Sequence, residues 1–176
     1  MAIALGKKPL QWKRQPYKLI KKGANLMTEI AVNLKELYEI DDNLWLEETI
    51  KLLKNKEFNL LDLDNLIEEL ESLSRRDKLA IRSLLEQIIR HLLLLQYWDS
   101  EFDCNSNHWA AEIIGFRTQL RNRMTTNFRN YLTEEFDKIY RDAAKYVSKK
   151  SGLNTFPQQC PYTLEQLLDE DWFPSK

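Results

Sequence analysis

Apolar residues return every third or fourth position along most of the chain, the period of a helix with one face turned inward. This pattern predicts five main helices. The first starts near Asp42, whose carboxylate is placed to cap free backbone N–H groups, and runs to about Asn55. It carries Trp45, Thr49, Leu52 and Leu53 on one stripe, and a short helical turn over 33–38 precedes it. A second helix opens on Asp62, with Leu63, Leu66, Ile67 and Leu70 inward and Asp64, Glu68 and Glu71 outward. A bend is expected at 72–74, where Ser74 followed by Asp77 resembles a capping box. A third, long helix then reaches about Trp98. Its Leu84, Leu85, Ile88, Ile89, Leu92 and Leu95 cover more than one face, which marks a central element.

Asp99–Asn107 is polar and reads as a connection, with Ser106 placed to cap a fourth helix. Trp109, Ile113, Phe116, Leu120 and Met124 form its apolar stripe. Gly115 inside that stripe costs about 1 kcal/mol relative to Ala, so close approach of another helix is the expected reason for it. A fifth helix over roughly 128–150 buries Leu132, Phe136, Ile139, Tyr140, Ala143 and Val147, and Ser151-Gly152-Leu153 reads as its left-handed stop. Pro157 and Pro161 enforce extended backbone. Thr163 with Gln166 then makes a capping box for a short helix, Leu164–Leu168. Trp172 and Phe173 are expected to staple the tail onto the body; the alternative is an exposed plug for a partner.

Composition strengthens the helical reading. No proline occurs between Tyr17 and Phe156 and no glycine between Ala24 and Ile114, while straight-chain helix formers abound. With 43% apolar and 30% charged residues in 176, the chain has enough material for a sizeable core, and the predicted fold class is an all-α bundle of about five main helices with a short C-terminal helix and extended strap. Only four glycines occur, which removes phosphate-cradling loops and dinucleotide fingerprints. No apolar run approaches the roughly 20 residues of a membrane span. The 26 basic and 27 acidic residues nearly cancel, but unevenly: residues 1–26 hold seven bases and no acid. The chain thus divides into a basic, mobile leader, 1–27, and a single helical domain, 28–176. The leader lacks the apolar stretch and cleavage site of a secretory signal. A basic arm for nucleic acid or anionic lipid competes with the preferred reading, a plain tail ahead of an initiator at Met27.

Two charge blocks stand out more than any catalytic pattern. Glu57–Ser74 contains six acids and no base, and Ile113–Thr133 contains Arg117, Arg121, Arg123 and Arg129 and no acid. Guanidinium forks suit carboxylates, so pairing of Glu68 or Glu69 with Arg117 or Arg121 is the natural structural use. Phosphate binding by Arg117–Arg129, with Phe128 and Tyr131 to stack bases, is the competing use. A helix-bundle metal site needs Glu-x-x-His pairs, and none exists. A cluster of Glu68, Glu69 and His91 across helices stays conceivable, although a histidine in an apolar helix is more commonly a hydrogen-bonded boundary residue. Cys104 stands four residues before His108, with Asp103 beside it, but lacks the context of a nucleophile.

The order of motifs resembles a bacterial family known as domain of unknown function twenty-nine. Carrying the resemblance are Tyr38 and Asp42 ahead of Trp45, LDLDNLIEELESL at Leu61–Leu73, HLLLLQY at His91–Tyr97, Trp109 with Arg117, and FPQQCPYTLEQLLDEDWFP at Phe156–Pro174. Leu94 and Ser74 depart from it, standing where lysine and glycine are common. The resemblance implies a helical bundle and transfers no catalytic residue.

The leading expectation is a cytoplasmic, non-enzymatic interaction module that binds another protein or itself through Trp98, Trp109, Trp172 and Phe173, with no cofactor, no metal and no membrane association. A ligand- or metal-binding enzyme using Glu68, Glu69, His91, Arg117 and Arg121 is the alternative. A nucleic-acid-associated protein using the leader and Arg117–Arg129 is the third.

Overall fold

The computed structural model describes residues 34–175. The basic leader and its join at Met27 lie outside them. Among the described residues there are helices, turns and extended segments but no strand, so the fold is all-α. The chain divides into two compact units at Ile67/Glu68, a division that falls inside one continuous helix.

In the first unit, residues 34–40 form α1. Asp41, in extended conformation, ends it and starts α2, Asp42–Asn55, by accepting from the Leu44 N–H at 3.0 Å. The cap is therefore Asp41, one residue before the expected one. Lys56 adopts a left-handed conformation (φ 62°) and closes α2 by donating to the Leu52 and Leu53 carbonyls. A 3-10 turn, Phe58–Leu60, follows. Leu34, Trp45, Thr49 and Leu60 are buried, and the Tyr38 ring meets Trp45 edge-on at 5.0 Å. Leu53, expected on the inner stripe, is instead exposed. Asp62 is 3% exposed, takes a 2.6 Å hydrogen bond from Asn65 Nδ2 and opens the next helix with its carbonyl, as expected.

That helix, α3, runs from Leu63 to Tyr97 without a break. The expected bend at 72–74 does not form, because a serine and a distant aspartate are weak stops inside a run of strong helix formers. In the second unit the core begins at Ile81. Leu85, Ile88, Ile89, Leu92, Leu93 and Leu94 are fully buried against Trp109, Ile113 and Leu120 of α4 (Asp99–Arg123) and Leu132, Ile139, Ala143 and Val147 of α5 (Thr126–Ser151). Each such side chain contributes roughly 1.5–3 kcal/mol relative to exposure. Trp98 alone separates α3 from α4, and its ring stacks on Trp109 at 5.9 Å. The expected loop at 99–107 is thus helical, and Ser106 caps nothing. Thr125 caps α5 by accepting from the Phe128 N–H, and Gly152 (φ 76°) ends it in the left-handed conformation as expected. Contrary to expectation, no helix closes on Gly115, since a Cβ there would meet nothing within 4 Å.

The chain then returns as an extended strap bearing α6, Leu164–Leu168, with the Thr163–Gln166 capping box in place. Tyr140 donates to the Pro157 carbonyl at 2.6 Å, and Tyr162 donates to Gln96 Oε1 at 2.7 Å. Tyr162 also meets Trp172 edge-on, and Trp172 and Phe173 pack against the core. The tail is stapled.

Candidate interaction surface

Arg117 is the most engaged polar residue of the second unit. At 1% exposure it donates from Nε to Leu167 O (2.9 Å), from Nη2 to Gln166 O (3.0 Å) and from Nη1 to Trp172 O (2.8 Å) and Glu170 O (3.4 Å). These carbonyls end α6 and begin the tail, where helix geometry leaves them without intrahelical donors. The guanidinium caps that helix from outside, and the Phe173 ring lies 5.2 Å from its carbon. Burial draws its pKa down from the ordinary arginine value, opposed by the nearby charges of Asp169 and Glu170.

Arg121 pairs with Glu170 at 2.7 Å and Arg129 with Glu165 at 2.8 Å. Three of the four arginines proposed for phosphate are thus engaged by the C-terminal strap. The polar cluster read from the sequence is not what these residues build. Arg117 and Arg121 turn to the strap rather than to Glu68 or Glu69; Glu68 is exposed and Glu69 half-buried. His91 Nδ1 lies 2.8 Å from the Gln87 carbonyl one turn back, and its ring meets Phe116 at 5.5 Å. Burial lowers the His91 pKa, with the Gln87 carbonyl opposing. Cys104 and His108 stand one turn apart on exposed helix, not in a loop. Among the described residues no group of three or more His, Cys, Asp or Glu could hold a metal ion.

One polar network escaped the sequence reading. Glu86, 9% exposed, accepts from Arg82 at 3.3 Å and from Arg90, while Arg82 also pairs with Asp142 of α5. The Arg90 guanidinium stacks on Tyr146 at 3.9 Å. The i, i+4 ladder Arg82–Glu86–Arg90 was a visible signal, and it ties α3 to α5. A hollow of about 190 Å³ lined by Asp77, Ile81, Arg123 and Phe128 is smaller than the ~300–1,000 Å³ typical of ligand sites.

The aromatic residues expected to meet a partner are spent internally. Trp109 is buried, and Trp98, Trp172 and Phe173 are half-buried against the core. What the surface offers instead is aliphatic. The first unit exposes Ile40, Leu44, Leu46, Ile50, Leu53, Phe58, Leu63 and Ile67; in the second, α3 exposes Leu70, Leu73 and Leu79. Elsewhere among the described residues, the large exposed hydrophobics are Ile114 and Tyr146. Leu63, Ile67 and Leu70 were expected inward. They do lie on one helix at that spacing, but the spacing names a face and not what covers it.

The family model described as Domain of unknown function DUF29 matches residues 37–173. The chain belongs to this family. Its match takes in α2 to α6, the buried Arg117 clip and the exposed leucines of α3 together. No curated protein and no solved structure matches. Among the described residues of this DUF29 chain, no helix is long and apolar enough to cross a membrane.

Proposed function

We propose that this DUF29 protein is a non-enzymatic helical interaction module working in the cytoplasm, with a contact surface on each unit by itself: Leu46, Ile50 and Leu53 of α2 in the first, and Leu70 and Leu73 of α3 in the second. The observation that carries the reading is the exposure of these large apolar side chains. Single exposed leucines are ordinary, but a run of them on successive helical turns marks a protein-binding surface. In support, three of the polar groups that looked most catalytic have structural partners: Arg117 the strap carbonyls, Arg121 Glu170, and His91 the Gln87 carbonyl. Two free cysteines, Cys104 and Cys160, fit a reducing compartment.

Photo-crosslinking in the native cell tests this directly. A photoreactive residue at Leu46 or Leu70 should yield protein adducts, whereas one at exposed Lys149 on α5 should not. Adducts absent from both former positions, or equally abundant at Lys149, would contradict the reading.

A further inference from the structure

The hollow of about 190 Å³ in the second unit is lined from three helices. Asp77 and Ile81 come from α3, one turn apart; Arg123 comes from the last turn of α4 and Phe128 from the first turn of α5. Ile81 is buried and Phe128 half-buried, so the lining has an apolar part, while Asp77 and Arg123 are exposed and bring one charge of each sign. Opposite charges on so small a hollow would ordinarily pair. These two stand too far apart to do so, and none of the ion pairs among the described residues includes either. Their neighbours are engaged: Lys78 lies over the Tyr131 ring, Arg121 pairs with Glu170 and Arg129 with Glu165. Arg123 is thus the one arginine of its block that the strap does not hold.

A carboxylate and a guanidinium beside an apolar surface suit a ligand that carries both charges itself. The planar fork of Arg123 can hold a carboxylate through two parallel N–H···O bonds, and Asp77 can accept from an ammonium. An inorganic anion would satisfy Arg123 and be repelled by Asp77; a simple amine would do the reverse. A peptide side chain or terminus brings a single charge. A free α-amino acid carries both on one carbon, with a side chain left to lie on Ile81 and Phe128. Size agrees, because pockets of ~300–1,000 Å³ serve drug-sized ligands and a smaller hollow suits a smaller molecule.

We infer that this hollow binds a free α-amino acid with an apolar side chain, its carboxylate on Arg123 and its ammonium on Asp77. The site is separate from the aliphatic contact surfaces and stands or falls without them. NMR titration of the full chain with leucine tests it, with isocaproate (no ammonium) and isoamylamine (no carboxylate) as single-ended probes. Leucine should shift the Ile81 and Phe128 signals saturably and should bind less well as salt rises. Each single-ended probe should bind about tenfold more weakly or worse, having lost one charged contact. Asp77→Asn should weaken leucine by a similar factor without weakening isocaproate, and Arg123→Gln should weaken leucine without weakening isoamylamine. Leucine that leaves Ile81 and Phe128 unperturbed, single-ended probes that bind as tightly as leucine, or variants that bind leucine as the wild type does would overturn the site.

Discussion

Arg117 shows how one side chain can tie a terminus to a body. Four donors satisfy carbonyls that would otherwise be buried and unpaired, each loss costing about 1–3 kcal/mol. Arg117→Ala should therefore cost several kcal/mol in urea unfolding and free the strap for proteolysis near Trp172; Arg117→Lys, with a point charge in place of the planar fork, should recover only part. Unchanged stability in Arg117→Ala would mean the clip is ornamental. His91 makes a pH prediction. Its folded pKa lies below the ordinary histidine value, so the unfolded chain takes the proton more readily. Its stability contribution is thus lost as pH falls below about 6.5. The urea midpoint should drop between pH 7.5 and 5.5, and His91→Gln should flatten that drop; a steeper drop in the variant would reverse the assigned sign. Cys160 is held up to about 11 by burial, whereas Cys104 is exposed. A thiol reagent at neutral pH should accordingly modify Cys104 quickly and Cys160 only on unfolding.

At the scale of the element, what the sequence made legible was local. The left-handed stop at Gly152, the Thr163–Gln166 box and the opening at Asp62 all depend on neighbours a few residues away. What it hid was distant. Arg117 meets partners 49–55 residues further along, and nothing in its own helix distinguishes a carboxylate partner from a row of carbonyls. Likewise, the leucines of α3 repeat with the same period whether they face a core or solvent. The two glycines separate these cases by experiment. Gly152→Ala should destabilise by about 1 kcal/mol or more because its φ is positive. Gly115→Ala should stabilise by up to about 1 kcal/mol, since it adds helix propensity and meets no neighbour. Melting temperatures moving the same way would refute the assignment of one of them. The leucines offer a sharper contrast. Leu92→Ala removes a fully buried side chain and should cost about 2–5 kcal/mol, while Leu70→Gln, measured at low protein concentration, should stay within about 0.5 kcal/mol.

Among the described residues, the second unit spends most of its aromatic residues and convergent polar groups on holding helices and strap together, while most large exposed apolar side chains lie between Ile40 and Leu79. That allocation is unfavourable for a chain that never meets a partner, because exposed aliphatic stripes promote association without being repaid by burial. It is sensible for one that does. The division also explains why residue-type reasoning pointed first at tryptophans: large aromatic groups dominate interfaces in general, but here edge and stacking contacts inside the bundle had already claimed them.

Hydrogen exchange along α3, followed residue by residue, tests this account most directly. Amides from Leu85 to Leu94, where the core lies, should be strongly protected, and those from Leu70 to Leu79, every one of them exposed, should exchange much faster. Equal protection of the two stretches would contradict the exposure on which the interaction reading rests.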